Sequence, residues 1–173
     1  MVKFAQRYAR SAQSSNLKDD VHNTDCEALQ AVAFVSMKAG AELACLLFRV
    51  RYANDATSFK TLLSAWVLLV EKKAAIRHWP VHVVPHVIAK ISLEHWLVDV
   101  CGVCEGRAYE VAPGTPMLSD TLCKACQGSG KKPLLVNRAV QDYIEDMLEE
   151  LAVMERYAGN EATKKAADDF KFL

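Results

Sequence analysis

Apolar residues recur at three- and four-residue intervals through most of this chain, and those intervals predict four helices. The first opens on Thr24-Asp25-Cys26-Glu27, a capping box in which the Thr24 side chain serves the N3 amide and Glu27 reaches back. Behind it Leu29, Val32, Ala33, Val35, Ala39, Leu43, Leu46 and Leu47 keep helical spacing to about Val50. Asn54-Asp55 caps a second helix, whose wide apolar face is Phe59, Leu62, Leu63, Trp66, Leu69 and Val70. It is expected to end near Lys72-Lys73, where cations suit the C-terminal dipole. A third helix starts with Pro85 in its first turn, carries Val87, Ile88, Ile91, Leu93, Trp96 and Leu97, and runs directly into Cys101. A fourth is expected from Pro133 through Leu134, Leu135, Val140, Ile144, Met147, Leu148, Leu151 and Met154, with Gly159 as its C′ residue.

Between the third and fourth helices the periodicity stops and a different chemistry takes over. Cys101-Gly-Val-Cys104 and Cys123-Lys-Ala-Cys126 are two Cys-x-x-Cys pairs with 18 residues between them. Two intervening residues let one tight turn offer both sulfurs to a single ion at about 2.3 Å, so two such turns complete a tetrahedral four-thiolate zinc site. Pro113, Gly114 and Pro116 break the spacer, which is therefore a loop or a short hairpin. The segment has few large apolar residues, so one structural zinc is what folds it. A redox dithiol or a pair of disulfides would use the same residues, and a catalytic zinc would need an open ligand position that four thiolates close. The fold class this implies is mainly α, a helical domain with a four-cysteine zinc finger inserted between two helices in a helix-turn-helix-like layout.

The organisation follows. Residues 1–23 form a basic arm (Lys3, Arg7, Arg10), 24–100 a helical body, 101–132 the zinc-binding insert, 133–159 the exit helix packing on the body, and 160–173 a short charged tail. At 173 residues and 51% hydrophobic the chain can bury one core, so a single domain is expected. The formal net charge is zero, which removes any global electrostatic argument for nucleic acid or membrane. Its distribution is uneven: residues 133–173 carry 5 basic and 9 acidic groups. Asp142, Glu145, Asp146, Glu149 and Glu150 are read as a solvated face of the exit helix. Cys26 and Cys45 fall within apolar helical pattern and are read as small buried hydrophobes. Metal-type cysteine spacing without a cleavable leader or a long uncharged apolar run points to a reducing cytoplasm and to no membrane association. His78, His82 and His86 are read as surface or capping residues, since the thiolates already make four ligands.

The insert's two ends meet at the metal, so the flanking helices are held side by side as a helix-turn-helix with an elaborated turn. The first turn of the exit helix then presents Lys131, Lys132, Asn137, Arg138 and Gln141. Lysine suits phosphate, arginine suits guanine, and asparagine or glutamine suits adenine. No Ser/His/Asp grouping, phosphate-cradling glycine loop or His-x-Glu zinc site is visible, so no enzymatic activity is expected.

Cys101-Gly-Val-Cys104-Glu-Gly106 and Cys123-Lys-Ala-Cys126-Gln-Gly128-Ser-Gly130, followed by Asn137-Arg138-Ala139-Val140, resemble the late-gene antitermination (Q) proteins of lambdoid bacteriophages. The resemblance covers about residues 85–157, and the first motif departs from the repeat in ending on Ala108 instead of glycine. It implies a factor that binds double-stranded DNA near a late promoter, loads onto paused bacterial RNA polymerase and makes it read through terminators. Carried over, Cys101, Cys104, Cys123 and Cys126 would ligate zinc. Lys131, Lys132, Asn137, Arg138 and Gln141 would contact DNA, with Arg107 and Lys124 as phosphate anchors. Another zinc-dependent DNA-binding regulator is an alternative reading. So is a cochaperone-like protein-interaction module; the J-domain cochaperones carry four such repeats and a His-Pro-Asp motif, against two repeats and none here.

Overall fold

The computed structural model describes residues 5, 6, 9, 42–111, 114 and 117–169, with side chains to residue 164. Its described elements are α1 (Glu42–Tyr52), α2 (Ala56–Ile76), α3 (Pro85–Leu97), β1 (Tyr109–Val111), β2 (Leu118–Leu122) and α4 (Arg138–Asp169). The capping box at Thr24, Cys26, the first helix before Glu42 and most of the basic arm lie outside the described residues, as does the end of the tail. Ala5 belongs to the described part of the arm; it is buried with Ala44, Cys45, Phe48, Ala158 and Ala162.

The larger apolar cluster of the body is shared by four helices. Leu62, Trp66 and Val70 of α2 meet Ile88, Leu93 and Trp96 of α3 and Ile144, Met147 and Leu151 of α4, with Leu47 of α1 closing the cluster. The fully buried indole of Trp66 is satisfied: its Nε1 donates to the buried Ser92 hydroxyl (3.2 Å), which donates in turn to the Ala89 carbonyl (3.1 Å). Burying a polar group without such a partner would cost about 1–3 kcal/mol.

Local signals set several of the boundaries. Asp55 is the N-cap of α2, its carboxylate accepting from the amides of Thr57 (3.1 Å) and Ser58 (3.2 Å), from the Ser58 hydroxyl (2.7 Å) and from Arg49 (2.6 Å). The hydrogen bonds from Thr57 and Ser58 hold its pKa well below the usual carboxylate range. A depressed folded-state pKa gives stability that is complete above the unfolded value of about 4 and is lost as the pH falls below it. Asp55→Ala is therefore expected to lower the melting temperature at pH 7, and the gap to the parent should shrink on titrating below about pH 4. Melting curves followed by circular dichroism would test this; a gap that is constant with pH would dissociate Asp55 from the cap. Pro85 occupies the first turn of α3 as expected.

Other boundaries differ from the sequence reading. The second helix runs past Lys73 to Ile76, and the third stops at Leu97, with Val98 as its C-cap. The exit helix begins at Arg138, because residues 132–137 are extended, and it does not stop at Gly159 but continues to Asp169. Gly159 is buried within the helix, between Ala158 and Ala162 of the cluster that includes Ala44 and Phe48, and it makes no C′ turn. The acidic face of α4 is only partly solvated. Glu150 pairs with Lys73 (2.6 Å), Asp146 with Arg77, and Glu155 with Arg51 (3.7 Å), so these charges tie α4 to α1 and α2.

Candidate metal centre

The segment between α3 and α4 opens and closes on a short two-stranded neck. Val100 and Lys131 form an antiparallel bridge, the Lys132 amide donates to the Asp99 carbonyl (2.7 Å), and the Cys101 amide donates to the Gly130 carbonyl (2.9 Å). Asp99 also accepts from Arg51 (3.0 Å), whose guanidinium lies 4.3 Å from the centre of the Trp96 ring. That contact seats the root of the module on the body. Beyond the neck, β1 and β2 pair as an antiparallel hairpin, with Tyr109 opposite Leu122 and Val111 opposite Leu118. The spacer is thus the short hairpin that its proline and glycine predicted. Helices α3 and α4 are joined by this whole module and an extended neck, not by the three- or four-residue turn of a helix-turn-helix.

Within the module the two Cys-x-x-Cys turns are near copies of each other. The residue after the second cysteine is left-handed in both (Glu105 φ 50°, Gln127 φ 51°), the next is glycine at φ 80° in both, and the fourth is at φ 69° in both. In each turn the residue three past the second cysteine donates its amide back to that cysteine's carbonyl, Arg107 to Cys104 (2.9 Å) and Ser129 to Cys126 (3.0 Å). Across the pair, the Cys123 amide donates to the Ala108 carbonyl (2.9 Å) as the Cys101 amide does to Gly130. The repeat in sequence is a pseudo-twofold in space.

All four sulfurs of Cys101, Cys104, Cys123 and Cys126 lie within 4.8 Å of one another, and all four residues are buried. Cys104 Sγ and Cys126 Sγ are 3.7 Å apart. Tetrahedral thiolates at about 2.3 Å from one ion sit about 3.8 Å from each other, whereas a disulfide needs about 2.05 Å. None of these cysteines is cross-linked, so the disulfide alternative falls and the spacing suits one metal ion. Burial pushes the Cys104 thiol up. For Cys126 burial acts the same way, but amide donation from Gly130 (3.3 Å) and sulfur hydrogen bonds from Cys104 and Cys123 outweigh it and bring the thiol down. Amides aimed at sulfur favour the thiolate, the form that binds metal.

Ala108 is the place where the two turns differ. It adopts the same left-handed backbone as Gly130, φ 69°, without being glycine. That conformation costs an L-residue about 1–2 kcal/mol, of which glycine's greater freedom in the unfolded chain gives back about 0.4–1. Ala108→Gly is therefore expected to tighten metal binding by about threefold. Competition against a chromogenic chelator measures it, and weaker binding would place the strain elsewhere.

The seven side chains read as DNA contacts do not share one fate. Lys124, Lys131, Lys132 and Arg138 are exposed and make no ion pair among the described residues. Lys131 and Lys132 sit in the extended neck, not on a helical first turn. Arg107 is held by Glu105 (2.7 Å) and by the Cys104 carbonyl (3.0 Å). Asn137 caps α4, its side-chain oxygen accepting from the Ala139 amide (2.9 Å), and Gln141 donates to Glu145 one turn on (2.7 Å). His78, His82 and His86 are exposed and, among the described residues, join no metal cluster. His95 lies near Lys132, and burial together with that charge lowers its pKa. Sequence reasoning passed over Arg51, a body residue 48 positions from its partner Asp99; no local pattern announces such a contact. Among the described residues no helix is long and apolar enough to cross a membrane.

Compared with known proteins, the chain matches no family model, no curated protein and no solved structure.

Proposed function

We propose that the protein is a zinc-dependent DNA-binding transcription factor of the antitermination type, acting on double-stranded DNA and on bacterial RNA polymerase. The carrying observation is the placement of four buried sulfurs directly beneath a neck that exposes Lys131 and Lys132, with Lys124 on the second turn and Arg138 opening α4. Tetrahedral four-sulfur sites suit zinc or iron, and zinc adds no redox chemistry to a structural role. Its part is to hold the two knuckles together, so that the neck and the start of α4 present one basic surface. Lys131, Lys132 and Lys124 then meet phosphates and Arg138 is the residue free to reach a base edge, with α3 and α4 acting as a helix pair around an elaborated turn. Arg107, Asn137 and Gln141 contribute by shaping the turn and the helix start, where Arg107 Nε donates to the Cys104 carbonyl, Asn137 Oδ1 accepts from the Ala139 amide and Gln141 Nε2 donates to Glu145.

The test has two arms. Anisotropy with labelled promoter-proximal DNA of the source replicon should show specific binding that weakens steeply with salt and vanishes on chelation. Purified polymerase should then read through a downstream terminator only when the metal-loaded protein is present. DNA binding that survives complete metal removal would overturn the reading, and DNA binding without read-through would leave a DNA-binding regulator of another kind.

A protein-interaction module is the second reading, favoured by the hairpin. Tyr109, Val111, Leu118 and Leu122 pair across β1 and β2 with their side chains exposed, and Met117 beside them is 71% exposed. Partner capture without DNA affinity at low salt would select it.

A further inference from the structure

A cleft of about 400 Å³ opens where the α2–α3 connection meets the start of α4, lined on one side by Arg77, His78 and Trp79 and on the other by Asp142, Tyr143 and Asp146. We propose that this cleft binds a cationic side chain, an arginine above all, presented by a basic segment of a partner protein. The inference stands apart from the DNA reading, since it uses none of the residues of the neck or the metal centre.

Two half-buried aromatic rings form its wall. Trp79 and Tyr143 pack with centroids 4.8 Å apart and planes at 61°, which makes a fixed corner. Ring faces carry the negative side of the aromatic quadrupole and attract cations, and a planar guanidinium also stacks on them. Two carboxylates complete the charge. Asp142 is exposed and makes no ion pair among the described residues. Asp146 already holds a guanidinium, that of Arg77, so the cleft accommodates the proposed group in the molecule itself. Both partners of that pair are well exposed, 48% and 38%, and such a pair is weak enough to exchange with an incoming cation.

His78 adds a separate sign. It follows the C-cap Arg77 with φ 51°, the left-handed position that ends helices and where glycine bears no steric cost. A histidine there puts a third planar ring on the cleft. A metal ion is the wrong ligand, because among the described residues only the four cysteines bring their ligand atoms together. Nucleic acid is the wrong ligand for this cleft too, since its lining carries two carboxylates, Asp142 and Asp146, against the single arginine Arg77.

The metal-loaded full chain, labelled with ¹⁵N, would be titrated with the blocked tripeptides Gly-Arg-Gly, Gly-Lys-Gly and Gly-citrulline-Gly, and with spermidine. The Trp79 indole N–H and the amides of residues 78–80 and 142–146 should shift saturably. The Trp66 indole, bonded to Ser92 in the core, should not move. The arginine peptide should bind tightest and the uncharged citrulline peptide at least about fivefold more weakly. Asp142→Asn should weaken binding about threefold to tenfold, whereas Arg77→Gln should tighten it by vacating Asp146, a sign that a purely structural role for Arg77 does not give. Equal binding of citrulline, shifts spread evenly along the acidic helix face, or weaker binding by Arg77→Gln would overturn the proposal. Spermidine outcompeting the arginine peptide would overturn its assignment to a protein partner.

Discussion

Cys123→Ser is expected to empty the metal centre and unfold the module while leaving the helical body standing. The reason is where the apolar contacts lie. Among the described residues, the cysteines form a buried cluster of their own, separate from the body core of Trp66, Ile88, Leu93, Ile144 and Leu151. Around them Val103, Tyr109, Val111, Leu118 and Leu122 are all exposed, so hydrophobic burial offsets little of the roughly 1–2 kcal/mol that ordering each residue costs. A structural zinc contributes an apparent 10–16 kcal/mol, and a serine hydroxyl in place of one buried thiolate forfeits most of it. Metal content by mass spectrometry should fall well below one ion per chain. Amide dispersion should collapse across the module, helical circular dichroism should persist, and DNA affinity should be lost with the neck. Cys45→Ser is the contrast: its thiol is buried against Phe48 and pushed up to about 11 by that burial, so the change should cost only packing stability and no metal. A Cys123→Ser protein that keeps its full metal and its module signals would mean that the four sulfurs do not act as one site.

What could be read from sequence here was local, and what could not was pairing at a distance. Asp55 at its cap, Pro85 at its first turn and the two cysteine turns each depend on residues within four positions, and each stands where its pattern put it. Leu134, Leu135 and Val136 are the instructive failure. Three apolar residues in a row fit a helix or a strand equally. In the structure Leu134 and Val136 pack against the body and Leu135 is 87% exposed, the alternation of an extended segment. The neck bridge at Val100 and Lys131 holds that segment out of the helix, and it joins residues from opposite ends of the insert. The amide chemistry that suits Asn137 to a base edge also makes it a good N-cap, and in the structure its side-chain oxygen accepts from the Ala139 amide. The acidic face misled for a similar reason. Its count is visible in sequence, but Lys73, Arg77 and Arg51, which take up part of it, come from helices far away along the chain.

Gly130→Ala is expected to damage the metal centre more than alanine at any other glycine of the module. At φ 69° an alanine pays the left-handed penalty of about 1–2 kcal/mol, as Ala108 already does. Position 130 adds what position 108 does not: a Cβ there would stand 2.7 Å from the backbone oxygen of Gly106 and 3.3 Å from its carbonyl carbon. Backbone cannot swing aside like a side-chain tip, so the two knuckles must separate. Their separation strains the Cys101-to-Gly130 hydrogen bond that joins the knuckles, at the residue whose own amide is aimed at Cys126 Sγ. Overpacking of this kind adds about 1–3 kcal/mol, alanine's smaller freedom in the unfolded chain gives back about 0.4–1, and the net corresponds to metal binding weaker by about a hundredfold. Gly102→Ala supplies the control within the same module, for a Cβ there meets nothing within 4 Å and its backbone is not left-handed. Chelator competition should therefore rank Ala108→Gly tightest, the parent and Gly102→Ala together, and Gly130→Ala far behind. A Gly130→Ala protein that held its metal as firmly as the Gly102→Ala protein would show that the knuckles do not lean on each other at this point, and the pseudo-twofold account of the site would fail with it.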